Sequence, residues 1–403
     1  MTTHKPSEAS APGRRASAAA ALGLLLAGGA LLTLSCCLRP WPTGRLPFVP
    51  HLPSAPASIK APQVVSVLLA KSATPLTASC PGGGVWLTMQ NGIETEAAAG
   101  EGPWQFGVQD GMLTLDAADM QVPVMALRPL GETFVLGDRA YRGRLLVEAR
   151  PDGQVAASNT VGAEDYLRSV VGSEMFSRWD MNALMAQAVT ARTYMLYMVA
   201  AKGRLTLIDM AYKGASAESR EADVAVDLTG GILMIYNGRL FPAYFSSTCG
   251  GHTTSAARVF GEPADGPMRG VTCDWCRESP AYEWRAVIPA ARIAAALADR
   301  GVTQVDSIEP QGAGADGYAT TVLVNGQVAV RANEFRLAVG PGELKSTRFT
   351  VERVGEDFVF AGRGYGHGVG LCQWGACGMA RAGKDWQEIL HYYYSGVQLV
   401  QVR

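Results

Sequence analysis

Two close pairs of sulfur and imidazole ligands stand out in this chain of 403 residues: Cys249-x-x-His252 and, further on, Cys273-x-x-Cys276. Close pairs separated by a loop have the spacing of a closed tetrahedral zinc site, in which four protein ligands leave no place for water and the ion is structural. The competing reading is disulfide bonding, which applies if the chain works in an oxidising compartment. Cys372 and Cys377 could then pair with each other, or Cys80 could join one of them, and spacing alone does not decide.

The second chemical signal is the run Gly362-Arg363-Gly364-Tyr365-Gly366-His367-Gly368-Val369-Gly370. If the chain is extended there, glycine at every second position strips one strand face of side chains, so that a sugar ring or a neighbouring backbone can lie against it. The dinucleotide fingerprint fails because His367 stands where a glycine is required, and no Lys-Ser or Lys-Thr follows to make a phosphate-binding loop.

These residues need a scaffold, and the patterning supplies a mixed α+β one. Strand-like runs dominate from Val64 to about Thr160, including Val64–Leu69, Val85–Leu87, Met112–Leu115, Val122–Met125 and Arg144–Glu148. Asp152-Gly153 reads as a hairpin turn. Near Ala163 the period becomes helical: Leu167, Val170 and Val171 share a face, and after a break Leu184, Met185, Ala188, Val189, Tyr194, Met195 and Met198 form a second stripe. Asp180 is a natural N-cap and Gly203 a natural stop, which places Glu174 in the short connection between two helices. Strands return at Gly231–Tyr236 and Thr320–Val324, with turns at Asn237-Gly238 and Asn325-Gly326, and helices are expected over Ala290–Arg300 and Ala332–Val339. The class is α+β: a β-rich lobe, a helical segment, and a C-terminal glycine-rich strand followed by helices.

Lys and Arg number 35 against 36 Asp and Glu, so no overall field exists to recruit nucleic acid. Residues 1–15 carry Arg14 and Arg15 and precede an apolar stretch over 16–38, long enough to span a bilayer. An uncleaved anchor is favoured over a cleaved signal peptide, because the run is long and lacks a small-x-small exit; lipidation at Cys36 and twin-arginine export are weaker alternatives. Residues 39–62 are rich in proline and read as a stiff spacer, so the folded domain is expected over 63–403 on the extracytoplasmic side, or secreted or periplasmic if the segment is removed.

Three blocks resemble the sporulation stage II protein D / LytB family. They are Asp165–Met175 followed by Trp179 and Ala186–Tyr194, then Tyr244–Ser247 through Gly250–Thr253, then Gly366–Ala376 with Ile389–Gly396, in that order. Cys372 is a departure, since the family usually carries Ser there. The resemblance implies a lytic transglycosylase on peptidoglycan glycan strands, with Glu174 as general acid and base. One carboxyl suffices if the C6 hydroxyl of the muramic acid is the nucleophile and a 1,6-anhydro ring forms. Val170, Val171, Met175 and Phe176 give Glu174 an apolar setting of the kind that keeps a carboxyl protonated near neutral pH. If a hydrolase formed instead, Asp165 or Asp180 would be its second carboxyl.

The resemblance also implies substrate binding by Gln187, Arg192, Tyr365, His367, Gln373 and Trp374. Arg192 could equally serve a structural salt bridge, and the aromatic residues could belong to the core. Zinc near the Gly-Gly-His-Thr block occurs in relatives, which favours Cys249, His252, Cys273 and Cys276 as a metal set. The alternative function is that of a non-catalytic wall-binding enhancer acting on a partner amidase.

Overall fold

The computed structural model describes residues 47–402, apart from 91–92, 117 and 264–265. The expected membrane segment at 16–38 and the tail before it lie outside the described residues. Among the described residues no helix is long and apolar enough to cross a membrane.

Alternating apolar residues build two antiparallel sheets that face each other. The seven-stranded sheet runs in the order Leu205–Thr206, Val64–Ser72, Val155–Gly162, Arg144–Ala149, Val124–Pro129, Gly84–Gln90, Ile93–Gly100, with only the first strand parallel to its neighbour. The six-stranded sheet runs Arg139–Arg142, Thr133–Leu136, Leu76–Ser79, Trp104–Gln109, Met112–Leu115, Ala118–Asp119. Leu145 and Val147 are fully buried on one strand while Arg144, Leu146 and Glu148 are less buried, the period-two pattern of a half-covered sheet. Trp86 from the first sheet meets Trp104 and Phe106 from the second edge-on, with ring centroids 5.9 and 5.8 Å apart, and fills the space between the layers.

Helix α1 (Ala163–Glu174) leaves the end of Val155–Gly162 and is followed by α2 (Met181–Lys202) and α3 (Arg220–Leu228). Asp180 caps α2 through the Asn182 amide, and Gly203 ends it in a left-handed conformation, as the sequence indicates. Fifteen of the 22 residues of α2 are buried, so it is the central rod of the fold rather than an amphipathic surface helix. The strand Ile232–Ile235 lies beside α2, its Met234 amide donating to Thr193 Oγ1 at 3.0 Å, and pairs with the C-terminal strand Gln398–Gln401.

A smaller lobe between 283 and 363 has its own core of Ile288, Val322, Val330, Phe335 and Phe360. It contains two three-stranded sheets with helices α4 (Ala290–Ala296) and α5 (Ala332–Val339). The chain then returns to the main body through α6 (Gln373–Arg381) and α7 (Trp386–Tyr393). The class is mixed α+β with more strand than helix.

Two sequence expectations change. Residues 47–62 are not a free spacer: Val49, Leu52, Ala55 and Ile59 pack on the main core, and the Ala55 amide donates to the Gln401 carbonyl at 2.9 Å. Proline removes amide donors but leaves apolar surface and carbonyls, which is enough to dock an irregular segment. The glycine-rich run is not an extended strand either. The strand ends at Arg363, and Gly364, Gly366, Gly368 and Gly370 all have positive φ, from 72° to 109°. That zigzag threads the chain through a gap with no room for side chains. A Cβ on Gly370 would come within 1.9 Å of the Tyr244 carbonyl oxygen, and one on Gly368 within 2.3 Å of the Tyr318 ring. Neighbouring backbone and side chains therefore occupy the bare glycine positions, and no sugar-sized face is left open.

Candidate functional site

Glu174 is the last residue of α1, half-buried, with Met175 after it in extended conformation. One carboxylate oxygen, Oε1, accepts the backbone amide of Ala211 at 2.9 Å; the other, Oε2, accepts the side-chain amide of Gln373 at 3.2 Å. The carboxylate is thus held from two directions, by the loop after α2 and by the first residue of α6. A glutamine suits an acid and base in turn: its NH₂ donates to the carboxylate, and its carbonyl oxygen, presented by a flip of the amide, accepts from the protonated acid.

Each clamp is itself fixed. Met210 and Tyr212 on either side of Ala211 are buried, and the Tyr212 hydroxyl donates to Asn159 Oδ1 at 2.6 Å. Close packing holds the next turn as well, because a Cβ on Gly172 would fall 2.1 Å from the Ala217 carbonyl oxygen. On the other side, Cys372 caps α6, and the Trp374 amide donates to the Ser247 carbonyl at 3.1 Å.

A row of aromatic rings links the segment after Glu174 to the start of α6. Phe176, 56% exposed, meets Trp179 edge-on at 5.4 Å, and Trp179 meets Trp374 edge-on at 5.1 Å. The row begins two residues after Glu174 and ends one residue after Gln373. Such rings present flat apolar surface to the C–H faces of a sugar.

The other expected residues divide. Gln373 is on Glu174, and Trp374 follows it against Trp179. Arg192 is not: it is buried, pairs with Glu164 through Nη2 at 2.6 Å, and donates to the carbonyls of Val226 and Ile232. It ties α2 to α1, α3 and the neighbouring strand, which is the structural salt bridge of the two roles considered. Gln187 is fully buried within α2, out of reach of a polymer. His367 sits edge-on to Tyr244 and Phe260, and its Nδ1 accepts the Val369 amide at 3.0 Å, so it braces the glycine run. Burial, then the nearby Arg336 guanidinium, push its pKa down to about 4, against a backbone hydrogen bond at Phe245. Tyr365 is 38% exposed under the Lys345 ammonium, and its backbone bridges Thr248, with no contact to Glu174.

The candidate metal set is also redrawn. The sulfurs of Cys249, Cys273, Cys276 and Cys372 all lie within 4.8 Å of one another, and His252 is not among them. Gly250 and Gly251, with φ of 66° and 110°, turn the chain after Cys249 so that His252 bridges Thr272 and its Nδ1 lies 2.6 Å from the Thr253 carbonyl. Cys372 arrives instead from the far end of the sequence, because Leu371–Cys372 pairs in parallel with Phe245–Ser246. In sequence it stands out as a cysteine where the family usually carries Ser, with nothing local to link it to Cys249.

Residues 151–236, which contain α1, Glu174 and α2, match the family model described as stage II sporulation protein. An uncharacterized protein of Brachyspira hyodysenteriae is 34% identical over 276 residues, covering 66% of this chain and 74% of that protein. Stage II sporulation protein D of Bacillus subtilis is 31% identical over 259 residues, 59% of this chain and 74% of its own length. The chain belongs to the stage II sporulation protein D family. The amidase enhancer of Bacillus subtilis is also similar, at 28% identity over 284 residues, though this spans only 40% of that protein. Within the family frame, the Glu174 clamp joins the segment matched by the family model to α6, far outside it.

Proposed function

We propose that this family member is a lytic transglycosylase that cleaves peptidoglycan glycan strands at the MurNAc–GlcNAc bond, with Glu174 as its only catalytic carboxyl. The observation that carries the reading is the way that side chain is held. Its two oxygens face neutral amide donors. Of the two acids that could act as a hydrolase's second carboxyl, Asp165 is engaged by Arg168 and Asp180 by the start of α2. Asp165 also stands nine residues earlier on the same helix, roughly 13 Å along its axis at the α-helical rise. Paired-carboxylate hydrolases need separations of about 5–9.5 Å.

With one carboxyl, the cycle closes within the substrate. Glu174 as acid protonates the glycosidic oxygen, the C1–O bond breaks, and the leaving sugar departs as an alcohol. The C6 hydroxyl of the remaining muramic acid attacks C1, and its proton passes to the Glu174 carboxylate, restoring the acid and leaving a 1,6-anhydro end. Phe176, Trp179 and Trp374 supply the surface on which a sugar ring would rest.

The test is digestion of purified glycan strands followed by mass spectrometry. Anhydro-muramic ends that vanish in Glu174→Gln support the proposal; ordinary reducing ends would make the enzyme a hydrolase. The relative named amidase enhancer motivates a second reading, in which the chain binds wall and stimulates an amidase. Intact glycan together with amidase stimulation that survives Glu174→Gln would establish that reading instead. An extracytoplasmic site of action, with membrane attachment through residues 16–38, completes the proposal.

A further inference from the structure

We propose that Cys249, Cys273, Cys276 and Cys372 bind one structural zinc ion, and that this ion holds the helix cap that presents Gln373 to Glu174. All four cysteines are buried, at 0% exposure. The Cys249 and Cys276 sulfurs are 3.6 Å apart, and all four lie within 4.8 Å of one another. A tetrahedral ion with Zn–S bonds of about 2.3 Å requires sulfur–sulfur edges of about 3.8 Å. A cluster of several irons would instead hold its cysteines apart on different irons. A hydrated divalent cation would take oxygen ligands rather than four thiolates.

The surroundings are those of bound thiolates. The amides of Cys249 and Gly375 both donate to Cys372 Sγ at 3.3 Å, and the Tyr393 hydroxyl lies 3.2 Å from Cys273 Sγ. Such outer donors orient metal ligands and offset their charge. Arg348 adds a positive charge on the Gly250 carbonyl, beside Cys249. The helix must come close for this geometry. A Cβ on Gly375 would meet the Tyr393 hydroxyl at 2.0 Å and Cys273 Sγ at 2.8 Å, and one on Gly378 the Trp275 carbonyl at 2.1 Å.

Four protein ligands close the coordination sphere, so the ion takes no part in bond breaking. Its consequence follows from connectivity. Cys372 is the N-cap of α6, and the next two residues are Gln373, on Glu174, and Trp374, on Trp179. The ion fastens that cap to the Cys249 loop and to the turn at Cys273–Cys276. Gln373 is then a positioning residue whose place is set by a metal that never touches substrate. This last step alone rests on Glu174 being the catalytic acid.

The test uses the full chain, expressed with zinc in the medium, with metal content read by mass spectrometry and cobalt(II) substitution read by absorption. One zinc per chain is expected in wild type and in His252→Ala, with tetrahedral thiolate–cobalt bands. Cys372→Ser is expected to lose affinity at least tenfold in competition with a chromogenic chelator. Wild type without stoichiometric zinc and lighter in mass by paired hydrogens would mean disulfides and overturn the site. So would iron in place of zinc, or zinc lost in His252→Ala yet kept in Cys372→Ser. For the coupling, chelation of wild type should shift tryptophan fluorescence, and the shift should shrink in Trp374→Phe. Stoichiometric zinc whose removal leaves that fluorescence unchanged would keep the metal site and refute the link to Gln373.

Discussion

Gln373 Nε2 lies 3.2 Å from Glu174 Oε2, across 199 residues of chain. That hydrogen bond makes the proposed catalytic group a joint product of α1 and α6. Gln373→Ala should therefore lower kcat by about 10–100-fold, within the range of a mispositioned acid–base group, with a smaller change in KM. Gln373→Glu places a second carboxyl beside the first and should also impair the enzyme. Steady-state kinetics on defined glycan fragments separates the two terms, and equal loss in KM alone would mean that Gln373 only binds substrate.

Gly172 should not tolerate a methyl group. The Cβ of Gly172→Ala would sit 2.1 Å from the Ala217 carbonyl oxygen, a backbone atom that cannot rotate away. The helix propensity gained is under about 1 kcal/mol, and the overpacking cost is roughly 1–3 kcal/mol, so net destabilisation is expected. The urea midpoint measures it, and an unchanged midpoint would mean that the turn at 215–217 yields freely.

Arg192→Met should destabilise by about 3 kcal/mol or more, since it strands the Val226 and Ile232 carbonyls in the core and leaves Glu164 unpaired. Arg192→Lys should rescue little of this, because an ammonium lacks the fork that reaches Glu164 with two nitrogens. Glycan affinity per folded molecule should be unchanged in both, as measured by co-sedimentation with purified wall. A loss of affinity at full folding would return Arg192 to the binding surface.

The half-buried His367 makes stability depend on pH. Its ring is held neutral down to about pH 4, whereas in the unfolded chain it takes up a proton near 6.5. The unfolded state therefore binds the proton first, and the folded state loses ground as pH falls from 6.5 toward 4, by on the order of 3 kcal/mol at most. Protonation would also break the bond that Nδ1 accepts from Val369. His367→Gln should flatten this part of the stability profile measured by denaturation at several pH values; an unaltered slope would assign it to other groups.

The sequence was readable wherever local chemistry decided the outcome. The Asn237-Gly238 and Asn325-Gly326 turns have positive φ at both residues, and the cap and stop of α2 fall at Asp180 and Gly203. Attention to Glu174 came through resemblance, and it is the last residue of α1 rather than part of the connection that the patterning suggests. Long-range packing decided the rest. Alternating glycines fit an extended strand in sequence, but the carbonyls and rings of residues 244 to 318 bend them into a positive-φ path. Cys372 displaces His252 for the same reason, since a parallel pairing across more than a hundred residues leaves no local periodicity to read.

The docked segment before Gln63 also gives the molecule a load path. Ala55 donates to Gln401 and Gln401 to the Pro53 carbonyl, in a parallel bridge at Ser54. Tension applied at residue 47 would load those bonds in shear, then pass through Gln398–Gln401 into Ile232–Ile235 and the central helix α2. A pull from the N-terminal side would thus be borne by the interior of the fold before it reached Gln63 and the first long strand.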